Sequence, residues 1–243
     1  MGGLYADRYP SVVELAPEEL SHLTRMPPGR HHLPRDFVAR HQRDRLMVAM
    51  TGLVVGRGFA ATSLTQIVKT AGVARHTFYE HFESKEALFV AILDEAADEA
   101  VRRVLETTEA ETGAWEAKVR VGLAAFLGYV AENPPLARVC LCESQSAGPV
   151  ALDHYELALR RFDPLFRLGR RNSPMGADLP ESMEDIVVGG IVWMINKSLL
   201  HGEGDRIESS LPAIVEFALT PYMGEAAAKH VAAAETMTAA QKN

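Results

Sequence analysis

Arg75, His76, Thr77, Tyr79 and His81 fall within seven consecutive residues and offer a guanidinium, two imidazoles and two hydroxyls. Such groups hydrogen-bond to base edges and to phosphate oxygens. The same stretch carries Phe78 and Phe82, four residues apart on one face of a short helix predicted from about Ala74 to Phe82. Turning about 100° per residue, that helix buries the two phenylalanines. His76, Thr77 and Glu80 are then set opposite, with Tyr79 and His81 on the flanks. The exposed face fits the major groove of double-stranded DNA, where a helix N-terminus meets base edges and its flanks meet phosphates. Arg75, His76 and Thr77 are therefore the candidates for base edges, and Thr62, Ser63, Tyr79, His81 and Lys85 the candidates for phosphates. Glu80 faces the groove as an acceptor suited to a cytosine amine.

These side chains need a frame, and the flanking sequence supplies one. Ser63 and Gln66 have the spacing of a capping box, which starts a helix at Leu64. Ile67 and Val68 give that helix an apolar side, and Gly72 suits a left-handed helix end. Two short helices joined by a tight glycine turn read as a helix-turn-helix. Upstream, Leu46, Ala49, Met50, Leu53 and Val54 mark one core face of a helix from Asp36 to Val55, ended by Gly56 and Gly58. Downstream, Ser84 caps a long helix that runs through Leu88, Phe89, Ile92, Leu93 and Ala96 toward Glu111. A lysine at the start of that helix opposes the helix dipole, so Lys85 is assigned to an external phosphate.

The run G-F-x-x-T-S-L-x-x-I-V-x-x-A-G-V-A-R-x-T-F-Y-x-H-F-x-S-K-E-x-L, from Gly58 to Leu88, resembles the DNA-binding domain of the TetR family of transcriptional repressors. The resemblance implies an all-α homodimer that binds a pseudo-palindromic operator and leaves it when a small molecule occupies the C-terminal part. It implies an N-terminal three-helix DNA-binding domain followed by a helical bundle for ligand binding and dimerisation. One departure is Ala74, which stands where the family usually has a serine or threonine cap. The cost of a lost cap is about 1 kcal/mol.

Composition agrees with a basic module on an acidic body. The 243 residues carry a net charge of -7, yet Arg25 to Lys85 hold ten Lys or Arg against four Asp or Glu, a local +6. Charge distribution matters more than the total for nucleic-acid binding. No secretory segment opens the chain, and the apolar run from Ile186 to Ile195 is too short to span a bilayer. A cytoplasmic protein with no membrane partner is expected. Residues 1–34 read as an irregular arm, basic toward its end, placed either beside the recognition site in the minor groove or free in solvent. Residues 35–83 read as the DNA-binding domain, 84–223 as the regulatory and dimerisation domain, and 224–243 as an alanine-rich tail.

The regulatory part gives fewer signals. Helices are expected from Trp115 to Glu132, from Pro149 to about Arg171, from Met183 to Leu200 and from Glu208 to Ala218. The last pair resembles the dimer interface of TetR proteins, with Gly189 and Gly190 allowing close packing either across that interface or within one subunit. A pocket between bundle helices is mostly apolar with a few polar groups, so the effector is expected to be a largely apolar small molecule. Phe126, Tyr129, Cys142, His154, Trp193 and Asn196 are the candidates to line it.

Cys140 and Cys142, with His154, raise the alternative of a metal- or redox-responsive regulator. Against it, a C-x-C pair points its sulfurs about 200° apart on a helix, and small buried apolar cysteines are the competing reading. No cofactor or metal is assigned. The chain has no G-x-S-x-G, H-E-x-x-H, P-loop or dinucleotide turn, so no enzyme is expected. A ligand-independent DNA-binding protein is the remaining alternative.

Overall fold

The computed structural model describes residues 35–234, and among them every regular element is helical. In chain order these are α1 (Arg35–Arg57), α2 (Leu64–Ala71), α3 (Arg75–His81), α4 (Lys85–Ala110), α5 (Trp115–Glu132) and α6 (Pro134–Cys142). They continue with α7 (Pro149–Arg160), α8 (Asp163–Arg167), α9 (Gly169–Asn172), α10 (Met183–Leu200), α11 (Leu211–Met223) and α12 (Glu225–Ala233). Short 3-10 helices occupy Ser144–Ala147, Gly176–Asp178 and Gly204–Ser210. The basic arm lies outside the described residues.

The chain divides into two compact units, with breaks between Ala96 and Ala97, Pro134 and Pro135, and Tyr155 and Glu156. The first unit holds α1 to α3, the beginning of α4, and residues 135–155. Its core is built from Leu46, Met47 and Met50 of α1, Ile67 of α2, Phe78 of α3 and Leu88, Phe89 and Ile92 of α4, all completely buried. α1 carries on through Gly56, and the break comes at Gly58, whose φ of 78° is the left-handed conformation that glycine adopts without strain.

The second unit holds the rest of α4, α5 and the helices from α8 onward. α5 packs on α11 and on the 3-10 helix Gly204–Ser210, and α10 packs on α8 and α11. Two sequence expectations are corrected here. The segment Pro149–Arg171 is three helices, and Pro164 accounts for the first break, because it cannot donate to the carbonyl of Arg160 and its ring clashes with it. Conversely, α11 continues across Pro221 to Met223. Burial of Ile214, Val215, Ala218, Leu219 and Tyr222 along one face outweighs the hydrogen bond the proline cannot make. The alanine-rich stretch after Gly224 forms α12, which packs on α11 and α5 with Ala228 and Ala232 buried.

Candidate functional site

The helix-turn-helix is fixed by local chemistry at each joint. Ser63 Oγ accepts the Gln66 N–H at 3.3 Å while Gln66 Oε1 accepts the Ser63 N–H at 2.8 Å, closing the capping box. α2 ends at Gly72, with φ 61°, and the Arg45 guanidinium donates to the Gly72 carbonyl at 3.1 Å. Phe78 and Phe82 are buried, with ring centroids 5.9 Å apart. α3 has no side-chain cap, since Ala74 occupies the N-cap with extended backbone.

On α3, Arg75, His76, Tyr79 and Glu80 are exposed and His81 is half-buried. The Arg75 guanidinium sits 3.5 Å from the Tyr79 hydroxyl, so the two form one donor-rich ridge. Thr77 differs from the sequence expectation of an exposed position. It is buried, 7% exposed, because α3 packs against both α1 and α2 and covers a flank that a two-phenylalanine face does not predict.

Thr62 is buried as well, and its hydroxyl donates to the Gly58 carbonyl at 2.8 Å. Lys85 Nζ donates at 3.0 Å to the carbonyls of both Phe59 and Thr62, and lies 3.9 Å from the centroid of the Phe59 ring. The loop between α1 and α2 thus gives an internal reason for a cation at the start of α4, where the sequence pointed to an external phosphate. Sequence reasoning also passed over Arg45. Its proximity to Gly72 follows from the packing of α1 on α2, which no local pattern encodes.

Within the second unit, a cavity of about 480 Å³ lies among α4, α5 and the α7–α9 stretch, lined by Val104, Leu105, Phe162, Pro164 and Leu165 with Thr108, Glu109, Lys118 and Arg161. A small void of about 30 Å³ adjoins it, lined only by apolar side chains, among them Phe126, Phe166, Ile191 and Val192. Of the six pocket candidates, only Phe126 reaches this lining. Tyr129 is buried under the Arg103 guanidinium, 4.9 Å away. Trp193 is 64% exposed, and Asn196, half-buried on α10, is not part of the lining. Cys142 and His154 belong to the first unit. Gly122, which interrupts the apolar stripe of α5, lines the small void, and Thr108, Leu165 and Val104 close over the place of its missing side chain.

His154 Nδ1 is 2.9 Å from Asp94 Oδ1. The cysteines form no disulfide, and burial pushes the Cys140 thiol up to about 12 and raises that of Cys142. Thiols so shifted hold little of the thiolate that metal binding and redox exchange require. Among the described residues, no group of three or more His, Cys, Asp or Glu is arranged to hold a metal, and no helix is long and apolar enough to cross a membrane.

Comparison with known proteins places this geometry. Residues 49–92 match the model of the bacterial regulatory proteins of the tetR family. The chain is 25% identical over 192 residues to the HTH-type transcriptional activator FasR of Mycolicibacterium smegmatis, covering 77% of this chain and 84% of that protein. The fold is similar to that of the fatty acid degradation regulator FadR from Bacillus halodurans, with a TM-score of 0.64 at 17% identity over 73% of this chain and 93% of that one. It is also similar to FadR from Bacillus subtilis in complex with stearoyl-CoA, with a TM-score of 0.59 at 16% identity over 73% and 97% of the two chains. Residues 49–92 thus form a DNA-binding segment of the tetR-family type, within an all-helical chain that is similar in sequence and in fold to known transcriptional regulators.

Proposed function

We propose that the protein is a homodimeric repressor that reads a pseudo-palindromic operator with α3 and is released by a largely apolar effector held in the second unit. The observation that carries the DNA reading is the exposed ridge of Arg75, His76 and Tyr79 on a frame capped at Ser63 and Gly72. In this reading, residues 35–83 form the DNA-binding domain and 84–223 the regulatory and dimerisation domain. Arg75 and His76 meet base edges; Ser63, Tyr79 and His81 meet phosphates. Thr62, Thr77 and Lys85 act by setting the height and angle of α3.

Dimerisation is supported by α10, whose outer face is largely apolar, with Lys197 lying 5.8 Å from the Trp193 ring. Its inner face is buried, while Ile186, Trp193 and Leu200, seven residues apart, remain exposed at 55%, 64% and 59%. An apolar stripe of that length marks an interaction surface. Gly190 serves packing within the subunit, since a Cβ there would lie 2.3 Å from the Phe217 ring. Gly189 has open space on the exposed side, where a second copy fits.

The largely apolar cavity, where Lys118 and Arg161 outnumber the one acidic lining residue Glu109, suits an acyl chain carrying an anionic head. The stearoyl-CoA complex of the similarly folded FadR supports that class. The opposite sign of regulation has one observation in its favour, the activator FasR, and a reporter gene under the operator decides between them. The main test is a mobility shift at several salt concentrations on the DNA upstream of the chain's own gene. Two chains per site are expected. Replacing His76 with Ala should change sequence preference, whereas Tyr79→Phe, at a residue assigned to phosphate, should weaken all sequences alike. Uniform weakening by both substitutions refutes the assignment of His76 to base edges.

A further inference from the structure

The cavity and the void beside it share three lining residues, Val104, Phe162 and Leu165, which form the partition between them. Gly122 lines the void and stands where the two spaces meet. A Cβ at this position would lie 3.0 Å from Thr108 Cγ2, 3.2 Å from Leu165 Cδ2 and 3.3 Å from Val104 Cγ1. Two of those atoms belong to the partition and the third to the outer cavity. Contacts this close leave no room for a methyl group unless its neighbours move.

The partition is made of side chains that can move. Val104, Phe162 and Leu165 carry no polar groups, so rotation of their side chains breaks no hydrogen bond. Behind them the Phe126 and Phe162 rings are 5.4 Å apart, with an interplanar angle of 55°. The void beyond is wholly apolar, whereas the outer cavity has charged groups, Lys118 bonded to the Thr108 carbonyl at 3.2 Å, Arg161 bonded to Asp98 at 2.7 Å, and Glu109. Polarity therefore falls from the outer cavity to the void.

Building on the effector reading above, we infer that the two spaces are one channel for a long unbranched acyl chain, and that Gly122 is the residue setting how long that chain can be. The anionic head stays beside Lys118 and Arg161. The chain fills the outer cavity first, and its far end passes Gly122 once Val104, Phe162 and Leu165 swing aside. A side chain at position 122 pins the partition against Thr108 and limits the ligand to what the outer cavity holds.

The experiment is calorimetric titration of the full chain with octanoyl, dodecanoyl and stearoyl compounds, each as the free acid and as the coenzyme A thioester. For the natural chain, affinity is expected to rise up to about fourfold per added methylene through stearoyl. Gly122→Ala should bind octanoyl as the natural chain does and lose the gain for the longest ligand, weakening stearoyl by about tenfold or more. Phe162→Ala should favour stearoyl over octanoyl more strongly than the natural chain, and it carries the test if Gly122→Ala does not fold.

Superimposable length series for the natural chain and Gly122→Ala overturn the role of Gly122, as does an unchanged series for Phe162→Ala. In either case acyl binding itself survives. Absence of binding by every compound to the natural chain overturns the acyl effector and the channel together. Acid and thioester share the same chain chemistry, and the tighter of the two identifies its source.

Discussion

The carboxylate of Glu143, just beyond the end of α6, accepts the backbone N–H of Phe59 at 3.0 Å. The other face of the same residue is held by Lys85, whose ammonium binds the Phe59 carbonyl. A residue eighty-four positions away along the chain thus fixes the turn between α1 and α2. Glu143→Ala leaves that N–H without its acceptor, a loss of about 1.5 kcal/mol for a hydrogen bond to a charged group. Glu143→Gln retains an oxygen and should lose less. Urea denaturation of the two variants gives the comparison, and equal stability of both with the natural chain shows that the contact contributes nothing.

Ala74 offers a gain rather than a loss. Its φ of -75° and ψ of 153° already match an N-cap, and no side chain serves the free N–H groups of α3. Ala74→Ser should stabilise the protein by about 1 kcal/mol. The amides of His76 and Thr77 should exchange with deuterium more slowly, since a cap accepts from the second and third residues of a helix. Unchanged exchange at both would place the flexibility of this helix elsewhere.

Glu184 gives the second unit a dependence on acid. Burial acts to raise its carboxyl, but the Arg170 guanidinium, bonded to both oxygens at 2.7 and 2.8 Å, outweighs burial and holds it below the ordinary 4.5. A carboxylate depressed in the folded state stabilises above its unfolded value and loses that contribution as pH falls through the folded one. Stability should therefore drop as pH moves below 4.5, and Glu184→Gln should flatten that drop. Asp163, raised by burial, by nearby Asp185 and to a smaller extent by Glu184 itself, acts in the opposite sense, and the variant relieves part of that shift, so the flattening observed is a lower bound on the contribution of Glu184. Parallel pH profiles for the natural chain and the variant would remove Glu184 from this role.

The elements around the recognition helix were readable because their signals are local. A capping box needs only Ser63 and Gln66, and a left-handed turn needs only Gly72. What was not readable depends on partners distant in sequence. Thr77 is buried by the joint packing of α1 and α2, and Lys85 is occupied by carbonyls more than twenty residues upstream. The cavity of the second unit was missed for a related reason. Tyr129, Trp193 and Asn196 stand out in the sequence by residue type, whereas the cavity is lined mostly by ordinary aliphatic residues such as Val101, Val104, Leu105, Leu165 and Leu168, which no local pattern separates from core. Pro164 and Pro221 are the same residue type with opposite outcomes, because the second lies on a helix whose whole inner face is buried.

The chain has two tryptophans, and they stand in opposite surroundings. Trp115 is buried in the second unit, its indole N–H bonded at 2.6 Å to the carbonyl of cavity-lining Leu165, while Trp193 lies open on the apolar stripe of α10. Their fluorescence separates accordingly, one emitter shielded from aqueous quenchers and one open to them. Substituting either with phenylalanine leaves a single tryptophan to be excited selectively, so that filling of the cavity and covering of the stripe can be followed as distinct optical signals without attaching a dye.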